Sequence, residues 1–78
     1  MKPPTLITKN TRLVDHEAIG QAAKSWRESY RVTLAEVASW MQLNSPAQVA
    51  HLETGRTHWT ALKMNEYVAA VNHFKPKH

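Results

Sequence analysis

Cysteine is absent from this 78-residue chain, which excludes a disulfide framework and any thiolate metal site. Glycine is nearly absent too. The two present, Gly20 and Gly55, are too few and too far apart for a glycine-rich loop that cradles phosphates. No apolar run approaches the ~20 residues of a membrane span, and the opening Met1-Lys2-Pro3-Pro4-Thr5-Leu6-Ile7-Thr8 lacks the long apolar core of a secretion signal. A cytoplasmic protein of a bacterial or phage-infected cell is therefore expected. The five histidines, at 16, 51, 58, 73 and 78, include no pair three or four residues apart and form no recognised ligand string. No nucleophile–base–acid arrangement stands out. The expectation is a non-enzyme with no metal and no cofactor.

What is present is basic charge, unevenly placed. Ten Lys plus Arg face six Asp plus Glu, a net +4 that suits an anionic partner. Residues 1–14 hold Lys2, Lys9 and Arg12 with no acid, and residues 72–78 add Lys75 and Lys77. The body between them, residues 15–71, carries five basic and six acidic side chains, so net charge alone does not establish nucleic-acid binding. A chain this short buries a limited core, and without disulfides or metal a partner subunit becomes an expectation.

The pattern along the chain reads as all-α: four helices, with room for a fifth, behind an N-terminal arm. The arm, 1–14, has two prolines and no helical period, so it is either flexible or strand-like around Leu6-Ile7 and Leu13-Val14. Residues 15–74 form the domain and 75–78 a basic tail. Asp15 is a good N-cap, with Val14 and Ile19 placed as a hydrophobic staple. Ile19, Ala22, Ala23, Trp26 and Tyr30 then mark the buried face of a first helix ending near 29–31. Thr33 and Glu36 form a capping box for a second helix, roughly 34–42, with Leu34, Val37, Ala38 and Met41 on its apolar stripe. Ser45 followed by Pro46 restarts the chain as a third helix, Gln48 standing where a second capping box would need it. Val49 and Leu52 face inward, and Gly55 ends that helix in the position that favours a left-handed residue. Thr60 caps a fourth helix with the stripe Ala61, Met64, Tyr67, Val68 and Val71, extended by Phe74 and stopped by Pro76. Trp59 packs on this helix as a staple with Met64.

Two short capped helices separated by a few residues, the second opening Ser45-Pro46-Ala47-Gln48, make a helix-turn-helix pattern. With Trp26-Arg27-Glu28 before it, Thr33-Leu34-Ala35-Glu36-Val37-Ala38 within it and Leu52-Glu53-Thr54-Gly55-Arg56 closing it, the chain resembles the phage repressor and Cro family, also called the xenobiotic-response-element-like family. The likeness covers about Ile19 to Val71. It implies a repressor-type domain binding a palindromic double-stranded DNA operator as a homodimer. It implies a structural ion pair between Arg27 and Glu53, and Ala38 as the small residue between the second and third helices. The base-reading face would be Pro46, Ala47, Gln48 and His51, because Gln pairs with adenine and Ala meets a thymine methyl. Phosphate contacts would come from Thr33, Asn44, Ser45, Arg56, Thr57 and His58, and the arm would add a phosphate or minor-groove contact.

The chain departs from the family pattern in places. Ala38 to Glu53 is one residue longer than usual, and the extra residue is placed near Asn44. Gln42 stands where a turn glycine is common, and Leu34 where a glutamine is common. Gln48 has a competing role as a cap, and His51 as a solvated side chain. Trp40 lies off the apolar stripe, which leaves a dimer interface, packing against the N-terminal arm or plain surface. Two rival functions share the fold: an antitoxin that also binds a toxin, and a protein-interaction module without DNA binding, which the near-neutral body and Leu34 favour.

Overall fold

A computed structural model describes residues 15–75; the arm, its staple residue Val14 and residues 76–78 lie outside the described residues. Those described form four helices and no strand: α1 (His16–Ser29), α2 (Leu34–Trp40), α3 (Pro46–Glu53) and α4 (Ala61–Phe74). None is long and apolar enough to cross a membrane.

Side-chain caps set three of the four starts. Asp15 Oδ1 accepts from the Ala18 amide at 3.0 Å. Thr33 Oγ1 accepts from Glu36 N at 3.1 Å while Glu36 Oε1 accepts from Thr33 N at 3.0 Å, a complete capping box. Thr60 Oγ1 accepts from Lys63 N at 3.1 Å. The expected second box is not formed. Ser45 makes no side-chain cap bond. The amide it would serve, Gln48 N–H, is already taken at 3.2 Å by Ser45's own carbonyl. Gln48 Oε1 instead accepts from Asn44 N at 3.2 Å, one residue further back.

The first three helices end alike, on a residue in the left-handed region: Arg31 (φ 59°), Gln42 (φ 58°) and Gly55 (φ 80°). At α1 the amides of Arg31 and Val32 donate to the carbonyls of Glu28 and Arg27, and at α2 those of Gln42 and Leu43 donate to Ser39 and Ala38. Both are the paired bonds of a Schellman ending, which satisfy carbonyls the helix leaves open. Glycine adopts this conformation without penalty, whereas other residues are disfavoured by roughly 1 kcal/mol. Only the third ending has it, and there space adds its own demand: a Cβ on Gly55 would lie 2.8 Å from the Glu17 backbone. Gly20, the other glycine, lets α1 cross the last turn of α3, where a Cβ would strike the carbonyl oxygens of Glu53 and, at 2.6 Å, Leu52. The chain's two glycines thus serve one helix–helix contact.

The core collects Ala23, Trp26, Val32, Val37, Ala38, Met41, Val49, Leu52, Trp59, Met64, Tyr67, Ala70 and Val71. Ala22 and Ala61, placed on apolar stripes by their spacing, are exposed. Both sit at the margin of their stripes, where a methyl group reaches little of the core. Trp59 packs edge-on against Tyr67, with ring centres 5.3 Å apart. The indole N–H groups of Trp26 and Trp59 are buried with no partner among the described residues. Each missing bond costs about 1–3 kcal/mol, against roughly 4–6 kcal/mol from burying a tryptophan's 150–250 Å², so the ring area wins.

Gln42→Gly should raise stability by up to about 1 kcal/mol by removing the left-handed penalty. Gly20→Ala should lower it by roughly 1–3 kcal/mol or more, since backbone must move. Urea midpoints of the two variants and the parent check both, and an unchanged Gly20→Ala midpoint would show that the α1–α3 contact is not tight.

Candidate nucleic-acid interface

Helix α3 is short, and its placement depends on a buried polar cluster. Arg27 and Glu53 are 6% and 3% exposed. Arg27 Nε donates to Glu53 Oε2 at 2.7 Å and a terminal guanidinium nitrogen donates to Oε1 at 3.1 Å, a two-pronged pair between α1 and the last residue of α3. The remaining terminal nitrogen donates to the Val32 carbonyl at 2.7 Å, in the α1–α2 connection. Tyr67 of α4 donates its phenolic proton to Glu53 Oε2 at 2.6 Å, and the Ala23 carbonyl lies 3.1 Å from the Tyr67 hydroxyl oxygen. One carboxylate therefore ties three helices. Burial works to lower the Arg27 pKa, but the hydrogen bonds and charge of Glu53 more than offset it and hold the guanidinium above its ordinary value. Tyr67 is pushed well above the ordinary tyrosine range, first by burial and then by its bond to Glu53. Sequence spacing had placed Tyr67 on an apolar stripe, and nothing in that spacing shows that its hydroxyl reaches a carboxylate on another helix.

With Val49, Leu52 and Glu53 buried, α3 turns Pro46, Ala47 and Gln48 to solvent, with His51 half-buried at the edge of that face. The four candidate base-reading residues are thus brought together. Gln48 and His51 also border a groove of about 370 Å³ floored by Met41, Leu43 and Leu52. Because Gln48 Oε1 is bonded to the Asn44 amide, a two-point contact with adenine would require that bond to be given up; the amide nitrogen is free of it.

The candidate phosphate residues divide. Arg56 is exposed, one residue beyond Gly55, and its side chain has no hydrogen bond or ion pair among the described residues. Ser45 is half-buried at the start of α3, and its hydroxyl is not used in capping. Asn44 is exposed beside it, with its backbone amide committed to Gln48. Thr57 is half-buried, its amide donating to the His51 carbonyl at 3.0 Å. His58 is exposed and stacks on His16 with ring centres 4.3 Å apart, while His16 Nδ1 accepts from Trp59 N at 2.8 Å. These contacts hold the loop after α3 to the first turn of α1. Thr33 is different: its hydroxyl both accepts from Glu36 N and donates to Glu36 Oε1, so a carboxylate already occupies the place a phosphate would take.

Compared with models of known families, with curated proteins and with solved structures, the chain finds no match. Trp40, 43% exposed, packs its ring 4.3 Å from that of His73 and edge-on to Phe74, so part of it covers the end of α4. The arm to which it was also assigned lies outside the described residues. No cluster of three or more metal-ligating side chains occurs among the described residues.

Tyr67→Phe should lower stability by roughly 1.5–3 kcal/mol at neutral pH, through loss of a hydrogen bond to a charged group. Its pH dependence has a definite sign. The folded state keeps the Tyr67 proton at pH values where the unfolded chain, with an ordinary value of 10.0, has lost it. This group's contribution is complete below that value and falls by about 1.4 kcal/mol per pH unit above it. Urea midpoints at about pH 8 and about pH 11 should converge for Tyr67→Phe relative to the parent; equal alkaline losses in both would show that the bond to Glu53 does not govern this limb.

Proposed function

We propose that this chain is a sequence-specific double-stranded-DNA-binding transcriptional regulator, a repressor that occupies an inverted-repeat operator as a homodimer in the cytoplasm of a bacterial or phage-infected cell. The observation that carries the reading is the two-sidedness of α3. Its inner face is fixed by Val49, Leu52 and the Glu53 carboxylate, while its outer face presents Ala47, Gln48 and His51, with Arg56 unengaged just past its end. A helix exposed on one side and held on the other suits insertion into the major groove, where side chains read base edges. Two copies would set two such helices about 34 Å apart along one face of the duplex. Repression follows from occlusion of a promoter overlapping the operator. A protein-interaction module is the second reading, favoured by the near-neutral charge of residues 15–71.

Binding to an inverted repeat from the DNA upstream of the coding frame should weaken steeply with salt, because phosphate contacts release counterions. Gln48→Ala should cost about 1–3 kcal/mol on that site and little on unrelated sequence, and Arg56→Ala should shallow the salt slope on both. Equal weakening of all sequences by Gln48→Ala would remove that residue from base reading. Absence of DNA binding at low salt, with a protein partner retained, would select the interaction module.

A further inference from the structure

We infer that Arg31 is an additional phosphate-binding residue, holding the DNA backbone at the opposite end of α3 from Arg56; the inference rests on the DNA-binding reading above. Arg31 sits in the left-handed region at φ 59°, at the α1 ending where glycine would be free of penalty, yet a long cationic side chain stands there, exposed. Strained residues are enriched at binding and catalytic sites. The side chain has no hydrogen bond or ion pair among the described residues. It lines a shallow, open cleft with Glu28, Thr33, Leu34, Ala35 and Pro46, which joins the end of α1 to the first residue of α3. Arg27 also borders this cleft, but Glu53 and the Val32 carbonyl engage its guanidinium. Arg31 is therefore the cation there with donors to offer. A cleft this open does not enclose a small molecule and is better matched to a ridge passing over it, such as a sugar–phosphate strand.

Dimensions support the pairing with Arg56. Eight residues of helix rise about 12 Å at 1.5 Å each, close to the ~12 Å width of the major groove. A helix of this length seated between the two phosphate ridges has Arg31 in a cleft shared with its first residue, Pro46, and Arg56 three residues past its last. Glu28 opposes the arrangement, since its carboxylate borders the same cleft and lies 3.9 Å from an Arg27 nitrogen.

The experiment compares the full chain with Arg31→Gly, Arg31→Lys and Glu28→Gln, reading thermal stability and the salt dependence of binding to a short random-sequence duplex, which isolates phosphate contacts from base reading. Arg31→Gly should melt no lower than the parent, because the backbone is relaxed, yet bind more weakly with a salt slope smaller by about one. Arg31→Lys should keep the parent slope, and Glu28→Gln should tighten binding. A parent that binds with an Arg31→Gly slope identical to its own overturns this inference alone. A parent that does not bind duplex even at low salt overturns both it and the DNA-binding reading.

Discussion

The Glu53 carboxylate is the group on which the architecture depends. It is buried, so its charge must be matched, and the match comes from α1 through Arg27 and from α4 through Tyr67. Removing either member of the Arg27–Glu53 ion pair leaves a charge in low dielectric, at a cost of about 3–5 kcal/mol. Apolar packing alone would tolerate small rotations of an eight-residue helix, because hydrophobic contacts are not directional. Bonds at 2.6–3.1 Å to three fixed atoms do not tolerate them. The cluster therefore fixes which side of α3 faces out. Gly20 and Gly55 serve the same end by letting α1 approach within backbone contact of α3.

Much of this was legible in the sequence, for local reasons. Asp15, Thr33 and Thr60 announce helix starts because the bonds they make span three residues. Gly55 announces an ending because only glycine meets both its φ and the space beside Glu17. The resemblance that paired Arg27 with Glu53 supplied a long-range contact that spacing alone could not. What spacing missed was of two kinds. Ser45 and Gln48 fit a capping box by position, but a turn bond from Gln48 N to the Ser45 carbonyl satisfied the amide first, a competition settled by backbone angles. Tyr67 and Trp40 have roles set by partners 14 and 33 residues away, Glu53 and His73, and helical periodicity carries no information at that range.

The left-handed endings show how stability and surface are traded in this fold. All three call for the same backbone conformation, and glycine stands only where a side chain would also collide. At Gln42 and Arg31 the side chains are exposed and meet no such obstacle. The conformational penalty of roughly 1 kcal/mol at each is a noticeable share of the stability available to a domain of this size. Of the two, Arg31 alone carries charge, which is what makes it the candidate for a contact outside the fold.

On the proposed reading, charge also bears on why one copy would not suffice. Of the five cations between residues 15 and 71, Arg27 is consumed inside the protein. Lys63 Nζ lies 3.5 Å from the His58 carbonyl, leaving Lys24, Arg31 and Arg56 without a side-chain partner among the described residues. Two of these three border the ends of α3. Affinity from phosphate neutralisation scales with the number of contacts, so a single domain making two or three of them would bind DNA weakly at physiological salt. Joining two domains makes the second binding event intramolecular and raises overall affinity without any new type of contact. On the proposed reading, the near-neutral body is thus consistent with operator binding only in an assembly that doubles the few cations α3 has beside it, and the same economy of charge limits residence on unrelated DNA, which offers phosphates but no partner for Gln48 and His51.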